Sequence, residues 1–589
     1  MRHINLKQIL LVAVVSCATS LTLSAQEAGG RWEPKVEIPW NRYYKHGELL
    51  DHMKSMQKAY PRFVKLVDIG ESYEGRPMRV MILTNQKTGK DIDKPAMWVD
   101  GNVHGNEVQG GEAAIYLAWW LLEHYDTNDR AKNLLDTRTF YILPSQNPDG
   151  RDHWFNSANT ASSSRTGTTP TDNDRDGLFD EDDTDDLDGD GEILTMRKKV
   201  PLGQGTHRLD RDDPRILVPV NGDQEGDYLV LGQEGIDNDG DGRVNEDGKG
   251  GYDMNRNWPS DWQPNHLQYG AGDYPFSYPE TASVGQFILA HPNIAAVQSF
   301  HNAGGMLLRG PGADYVSYPR ADIRTYDTLG EEGELILPFY NYLIIYKDLY
   351  NVHGGFVNWT YEGLGIFSFT NELWASQQYW GKARERSGGW FTSNTIQGLE
   401  FSDSVNLGEL FVDWHAFDHP QHGEIEIGGF KRQHGRVAPS FMIEEMIHRN
   451  AMFCARHAEE IADVSMEAPV VEDLGGGLYR ITVDIVNTAV MPSRSAMAAQ
   501  NQMGTPDRVV LDGKDLQVLV GGTLSARNRF RPERLDSVVR NPSTVLLENG
   551  VPGQGRTLVS WLVRGSGKFT IQYSAQKAEN SATEGELGS

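Results

Sequence analysis

Between residues 96 and 144 the chain reads strand, helix, strand. The apolar run Ala96-Met-Trp-Val-Asp-Gly-Asn102 is followed by a long helical stretch from Glu112 to about Tyr125 and then by Thr139-Phe-Tyr-Ile-Leu-Pro144. Short apolar strands alternating with helices constrain the fold more than any other feature here, because such strands need both faces covered and the helices supply the cover. Upstream, an amphipathic helix around Leu49 to Tyr60 leads into Phe63-Val-Lys-Leu-Val-Asp-Ile69. The turn Glu71-Ser-Tyr-Glu-Gly-Arg76 then joins that strand to Met78-Arg-Val-Met-Ile-Leu-Thr84. The pattern predicts an α/β fold: a mixed open sheet flanked by helices. Ligands of such sheets gather beyond the carboxyl ends of strands, and two polar strings lie just past such ends, His104-Gly-Asn-Glu107 and Asn147-Pro-Asp-Gly150.

His104 and Glu107 stand three residues apart, so one helical turn or tight loop presents both to a single ion. Taken with Ser299-Phe-His301 and Thr370-Asn-Glu372, the string spells a catalytic zinc site. Two imidazoles and one carboxylate leave the fourth tetrahedral position of zinc open. A lone histidine is more often a satisfied polar residue. It is the ordered set that points to chemistry.

Over roughly residues 40 to 465 the order of these motifs resembles the zinc metallocarboxypeptidases of the carboxypeptidase A/B kind, in the branch carrying His-Gly-Asn-Glu. The resemblance implies zinc on His104, Glu107 and His301. It makes Glu372 the carboxylate that takes a proton from the attacking water and passes it to the leaving amine. Asp253-Met-Asn-Arg-Asn-Trp258 resembles the segment whose Asn-Arg pair, here Asn255 and Arg256, clamps the substrate's terminal carboxylate. Tyr350-Asn-Val-His-Gly-Gly-Phe-Val-Asn-Trp-Thr-Tyr361 is similar to the family's mobile tyrosine loop, with the spacing to Glu372 falling on Tyr350 and leaving Tyr361 to packing. Val357 aligns with the position that colours the pocket for the C-terminal side chain. In the family the oxyanion arginine follows the Asn-Pro-Asp-Gly turn closely, whereas here a long acidic insertion intervenes. Arg197, in Thr195-Met-Arg-Lys198, is the expected oxyanion residue, with Arg208 and Arg211 as rivals. Asn106 stands where pancreatic-type members carry an arginine, so one substrate contact is lost.

That insertion, from about 159 to 251, holds three D-x-D-x-D-G openings: Asp172/Asp174/Asp176, Asp186/Asp188/Asp190 and Asp237/Asp239/Asp241. Oxygen ligands at alternate positions and a glycine for the sharp turn suit calcium. Residues 172 to 192 carry twelve acidic side chains against one arginine, so without cations self-repulsion keeps the segment open. Position twelve of each loop, Asp183, Arg197 or Gly248, departs from the helix-loop-helix pattern. Structural calcium shaping the rim of the site is the expectation, with a solvated acidic linker as the alternative.

With 55 Lys plus Arg against 82 Asp plus Glu, the net charge of −27 argues against nucleic acid and against docking on anionic lipid. Residues 1–25 read as an export signal, a basic start and an apolar run ending at Ala25. A rival cut at Val14-Val-Ser-Cys17 resembles a lipoprotein box and leaves a lipid-bearing Cys17. Either cut leaves Cys454 without a disulfide partner. The expected organisation is a catalytic domain over 26–465, a small all-β sandwich over 466–575 built from runs such as Leu478–Asn487, Thr557–Val563 and Lys568–Tyr573, and a disordered tail over 576–589. The function expected is an exported zinc carboxypeptidase, periplasmic, surface-held or extracellular, acting on peptides with a free C-terminus by promoted-water attack. An amidase or peptidoglycan-peptide carboxypeptidase on the same scaffold is one alternative. A calcium-stabilised binding or adhesion protein without catalysis is another.

Overall fold

The apolar runs become strands in the computed structural model, which describes residues 33–173, 175–375, 395–525, 531, 534–535, 537–538 and 540–588. The export signal, Ala25, Cys17 and Asp174 lie outside the described residues. Residues 33–38 belong to a separate short N-terminal unit without regular secondary structure, and every described helix and strand lies in the second unit, Pro39–Ser589.

Strands β1 (Val64–Glu71) and β2 (Pro77–Leu83) form the expected hairpin, followed by β3 (Ala96–Gly101) and β4 (Thr139–Leu143). The insertion contributes β5 (Thr195–Lys199), β6 (His207–Leu209), β7 (Leu217–Pro219) and β8 (Tyr228–Gln233). The chain then returns through β9 (Ile294–Asn302), β10 (Met306–Arg309), β11 (Asn341–Ile344) and β12 (Phe367–Leu373). The main sheet runs β1-β2-β4-β3-β9-β12-β10-β11. It is mixed: β4, β3, β9 and β12 are parallel neighbours, while β1, β2 and β10 pair antiparallel. Every residue of β3, β4 and β9 is buried, as two-sided helical cover requires.

The helix Gln109–Glu123 begins three residues earlier than its apolar run suggests and buries all but its last residue. It lies close on the sheet because Gly101 and Gly110 meet face to face. A Cβ on Gly101 would sit 2.4 Å from the Gly110 carbonyl carbon, and one on Gly110 would sit 2.8 Å from the Phe300 carbonyl oxygen. That close packing fixes the loop between β3 and the helix, which holds His104 and Glu107.

A second sheet joins β5–β8 to a hairpin of β13 (Phe411–His419) and β14 (Gly423–Phe430) in the order β13-β14-β5-β8-β6-β7. The insertion is therefore partly folded, with Leu194, Met196, Ile425 and Ile427 as its core. The unit expected to be catalytic closes with the helix Ile443–Glu459.

Residues 464–588 form two antiparallel sheets that share one apolar core, including Ile481, Val509, Trp561 and Ile571. The structure corrects the expectation of a disordered tail. Ser581–Leu587 is a strand paired along its length with Gly567–Ser574, and Leu587 is buried. Its polar composition reflects an edge strand whose side chains alternate between exposed and half-buried. The β unit docks on the catalytic unit through backbone N–H groups of Ala496 and Met497, which donate to the Asp322 carboxylate at 2.9 Å each.

Candidate metal centre and substrate cavity

Asn102, at φ 59°, turns the chain out of β3, and its side-chain amide donates to the carbonyls of His104 (2.7 Å) and Gly105 (3.0 Å). Those bonds fix the loop that carries His104 and Glu107. His301 comes from β9, where it is paired in register with Glu372 of the adjacent β12. Parallel pairing of two neighbouring strands thus puts a candidate ligand beside the candidate base.

One nitrogen of each histidine and the Glu107 carboxylate lie within 4.8 Å of one another. Glu107 Oε1 is 2.9 Å from His104 Nδ1, and Oε2 is 2.9 Å from His301 Nδ1. His104 Nε2 lies 3.1 Å from Asp253 Oδ1, so that with a metal bound the Asp253 carboxylate would hold the hydrogen on Nε2 and leave Nδ1 to ligate. Three buried donors of this kind fit zinc.

The electrostatics are strongly coupled. Burial alone would push the Glu107 carboxyl up, but the charges of His104 and His301 outweigh it and hold the group well below the ordinary carboxylate range. Asp253, opposed in the same way by burial, is held down by His104, Arg256 and Arg165. Glu372 goes the other way. Burial, then the charge of Glu107, push it up to about 7, against the pull of His301, Arg165 and Arg436.

These groups open on a cavity of about 100 Å³ lined also by Asn255, Arg256, Tyr350 and Val357. Seven of the residues singled out in the sequence therefore share one space with the candidate ligand His301. Asn255 and Arg256 sit on a short 3-10 turn capped by Asp253, whose carboxylate accepts from the Asn255 N–H at 2.8 Å. Asn255 Oδ1 accepts from the Phe356 N–H at 2.9 Å, tying this turn to the segment that carries Val357. Tyr350 is 45% exposed at the cavity mouth, while Tyr361 is fully buried and donates to Asp322 at 2.7 Å, as a packing residue does.

Arg197 is not there, and the expectation that it would serve this site is corrected. It lies on β5 in the second sheet, where its Nε donates to Glu426 at 2.8 Å and its guanidinium stacks 3.9 Å over the Trp414 ring. Arg208 sits on β6 of that sheet and Arg211 follows it, exposed. Of the three arginines that line the cavity, Arg165, Arg256 and Arg436, Arg165 lies against the candidate ligand, its Nη1 donating to Glu107 Oε1 at 3.1 Å. The signal was present in the sequence. Arg165 follows Asn147-Pro-Asp-Gly150 before the acidic run begins, as an arginine close behind that turn should. Arg436 is a further cavity group that no sequence motif had marked, and Asp253, at the head of the motif read for Asn255 and Arg256, stands behind the cavity wall as the partner of His104.

In the insertion, Asp186, Asp188 and Asp190 gather their carboxylates, as do Asp237, Asp239 and Asp241. The two loops repeat one pattern: Gly191 N–H donates to Asp186 and Gly242 N–H to Asp237. Asp176 meets Glu181 and Asp239, and Asp239 also meets Asp182 and Glu246, so the first and third loops converge. Asp172 accepts from the Arg175 N–H at 2.6 Å.

The family model for zinc carboxypeptidases (Peptidase_M14) matches residues 49–191 and 229–387, more than half of the chain. The protein belongs to the zinc carboxypeptidase family. The stretch between the two matches falls inside the acidic insertion. A second model, a domain of unknown function (DUF8731), matches residues 463–586. Among curated relatives, carboxypeptidase Z of Mus musculus is 33% identical over 18% of this chain and 17% of its own length. Carboxypeptidase E of Caenorhabditis elegans is 32% identical over 25% and 30%. Carboxypeptidase A1 of Mus musculus is 22% identical over 56% and 62%. The matches thus span less than two thirds of these relatives. Among solved structures, thrombin-activatable fibrinolysis inhibitor is similar with a TM-score of 0.44 at 18% identity, covering 72% of this chain and 79% of its own. For carboxypeptidase A from Helicoverpa armigera the values are 0.40, 17%, 68% and 80%.

Proposed function

We propose that this protein is a zinc-dependent metallocarboxypeptidase that removes apolar residues from the free C-termini of peptides. One observation carries the reading: His104, Glu107 and His301 converge in the same cavity as Glu372, Asn255 and Arg256. Zinc, when bound, supplies a Lewis acid that polarises the scissile carbonyl and acidifies water to a pKa of about 7. Glu372, beside His301 on the next strand, takes the proton of the attacking water and returns it to the leaving amine. Arg165 faces the same space with a fixed positive charge and stabilises the oxyanion as it develops. Arg256, whose Nη1 is steadied by the Asn255 carbonyl at 2.8 Å, holds the terminal carboxylate with Asn255.

The substrate side chain faces Met306, Leu308, Ile345, Leu349, Val352 and Val357. The cavity's two carboxylates, Glu107 and Glu372, are both engaged in the chemistry, so nothing there answers a lysine or arginine side chain. Steady-state rates on N-blocked dipeptides ending in Phe, Leu or Lys test this. Phe and Leu should exceed Lys by at least about tenfold in kcat/KM; equal rates or a preference for Lys contradict the reading.

The loops of Asp186/Asp188/Asp190 and Asp237/Asp239/Asp241 are the proposed calcium positions, supported by their shared turn geometry and gathered carboxylates. Calcium there should raise the melting temperature of the chelator-treated protein without restoring its activity. An unchanged melting curve removes calcium from the account. Export is proposed from the signal-like residues 1–25, and no helix among the described residues is long and apolar enough to cross a membrane.

A further inference from the structure

A cavity larger than that of the candidate metal centre lies away from it. About 330 Å³ opens where the helix Pro279–Ala290 and the turn 363–366 of the catalytic unit meet the β unit. Its walls are apolar on the catalytic side, through Ile288, Leu289, Ile294 and Ile366, and Leu289 is 58% exposed at the rim. From the β unit come two cations, Arg494 and Lys577.

Neither cation is ion-paired among the described residues. Arg494 is only 7% exposed; its Nη2 donates to the carbonyls of Ala498 (3.3 Å) and Met503 (2.9 Å), while its Nε and Nη1 are buried without a hydrogen-bond partner. Lys577 Nζ donates to the Leu364 carbonyl at 2.8 Å, which leaves further N–H capacity. The cavity's one acid, Asp507, accepts from the hydroxyls of Ser493 and Tyr573 and feels the charge of Arg494 without a hydrogen bond or ion pair to it. A buried guanidinium with unanswered N–H groups next to an amine and an aliphatic wall is a costly arrangement with nothing bound. Burial, and then the charge of Arg494, already push Lys577 down to about 7. An anion in the cavity relieves both cations.

We infer that this inter-unit cavity binds an organic monocarboxylate, its carboxylate against Arg494 and Lys577 and its hydrocarbon body against Ile288, Leu289 and Ile366. The aliphatic wall distinguishes such a ligand from a free inorganic anion, which would leave Ile288, Leu289, Ile294 and Ile366 uncovered. The inference stands apart from the catalytic reading.

Calorimetric titration of the full chain with octanoate tests it, beside octanamide and inorganic phosphate. Octanoate should bind while octanamide and phosphate bind at least about tenfold more weakly. Lys577→Met should weaken octanoate at least about tenfold, because it keeps the stem and removes the charge. Arg494→Gln is the second variant should the first fail to fold. Arg256→Gln, in the catalytic cavity, should leave octanoate binding in place. The inference is overturned if octanoate gives no heat at millimolar concentration, if octanamide or phosphate binds equally well, or if Arg256→Gln abolishes binding while Lys577→Met does not.

Discussion

At the scale of single residues, the site is organised by which groups carry protons. Asp253 holds the His104 ring through Nε2, so that with a metal bound Nδ1 would be the ligating nitrogen beside Glu107. Glu372 shares the cavity with the ionised Glu107 and is pushed up to about 7 by burial and by that charge. It must be ionised to accept a proton, so kcat/KM should rise with pH through its titration. A bound dication favours the ionised form, which sets the acid limb between the ordinary carboxylate value and about pH 7. An acid limb above pH 8 would contradict the assignment. Two arginines give a sharper contrast. Arg165→Met should cost about 10²–10³ in kcat/KM. Arg197→Met, which removes a contact to Glu426 and Trp414 outside the cavity, should change kcat/KM less than about threefold. Comparable losses in the two variants would put the oxyanion assignment back in question. Residue spacing made the candidate ligands legible because His104 and Glu107 are fixed by one short loop. Arg165 was passed over as the oxyanion candidate, although it follows Asn147-Pro-Asp-Gly150, because it lies within the stretch from 159 to 251 that reads as a single acidic insertion.

At the scale of elements, geometry is set by the register of β9 with β12 and by the approach of the helix Gln109–Glu123 to β3. β3 and β4 were legible because they are short, mostly apolar runs, and a run buried on both faces leaves little choice of environment. The strand order in the sheet was not legible, since β12 returns between β9 and β10 through contacts distant in sequence. The pairing of the insertion with the hairpin of β13 and β14 was hidden for the same reason. Gly110→Val would push a side chain into the Phe300 carbonyl and the Asn102 N–H, both backbone groups that cannot rotate away. It should destabilise the fold by about 1–3 kcal/mol in denaturant melting; no change would mean that this contact does not set the loop. Ser581–Leu587 went unrecognised because the face it turns inward carries Ser581, Thr583 and Gly585, with Leu587 its one large apolar residue. Deleting residues 576–589 should cost about 2–4 kcal/mol, from the burial of Leu587 and the lost strand pairing. An unchanged melting curve would show the strand to be dispensable.

At the scale of the whole molecule, a zinc carboxypeptidase unit is elaborated twice, by an acidic insertion that builds a second sheet beside the main one and by a C-terminal β unit anchored on Asp322. Neither addition supplies one of the three candidate metal ligands, although Arg165, at the start of the insertion, lines their cavity. Chelation should therefore abolish activity, and zinc should restore it where calcium does not; full activity after exhaustive chelation would refute a metal-dependent reaction. The most direct test is to incubate the protein with zinc and paired peptides differing only in a free or amidated C-terminus, beside a Glu372→Gln control, and to follow the products by mass spectrometry. Stepwise loss of C-terminal residues from the free-ended peptides alone, reduced by about 10²–10⁴ in the control, is the predicted result. Equal cleavage of amidated peptides, or cleavage that survives in the Glu372→Gln protein, would contradict it and favour an amidase or a non-catalytic binding role on the same scaffold.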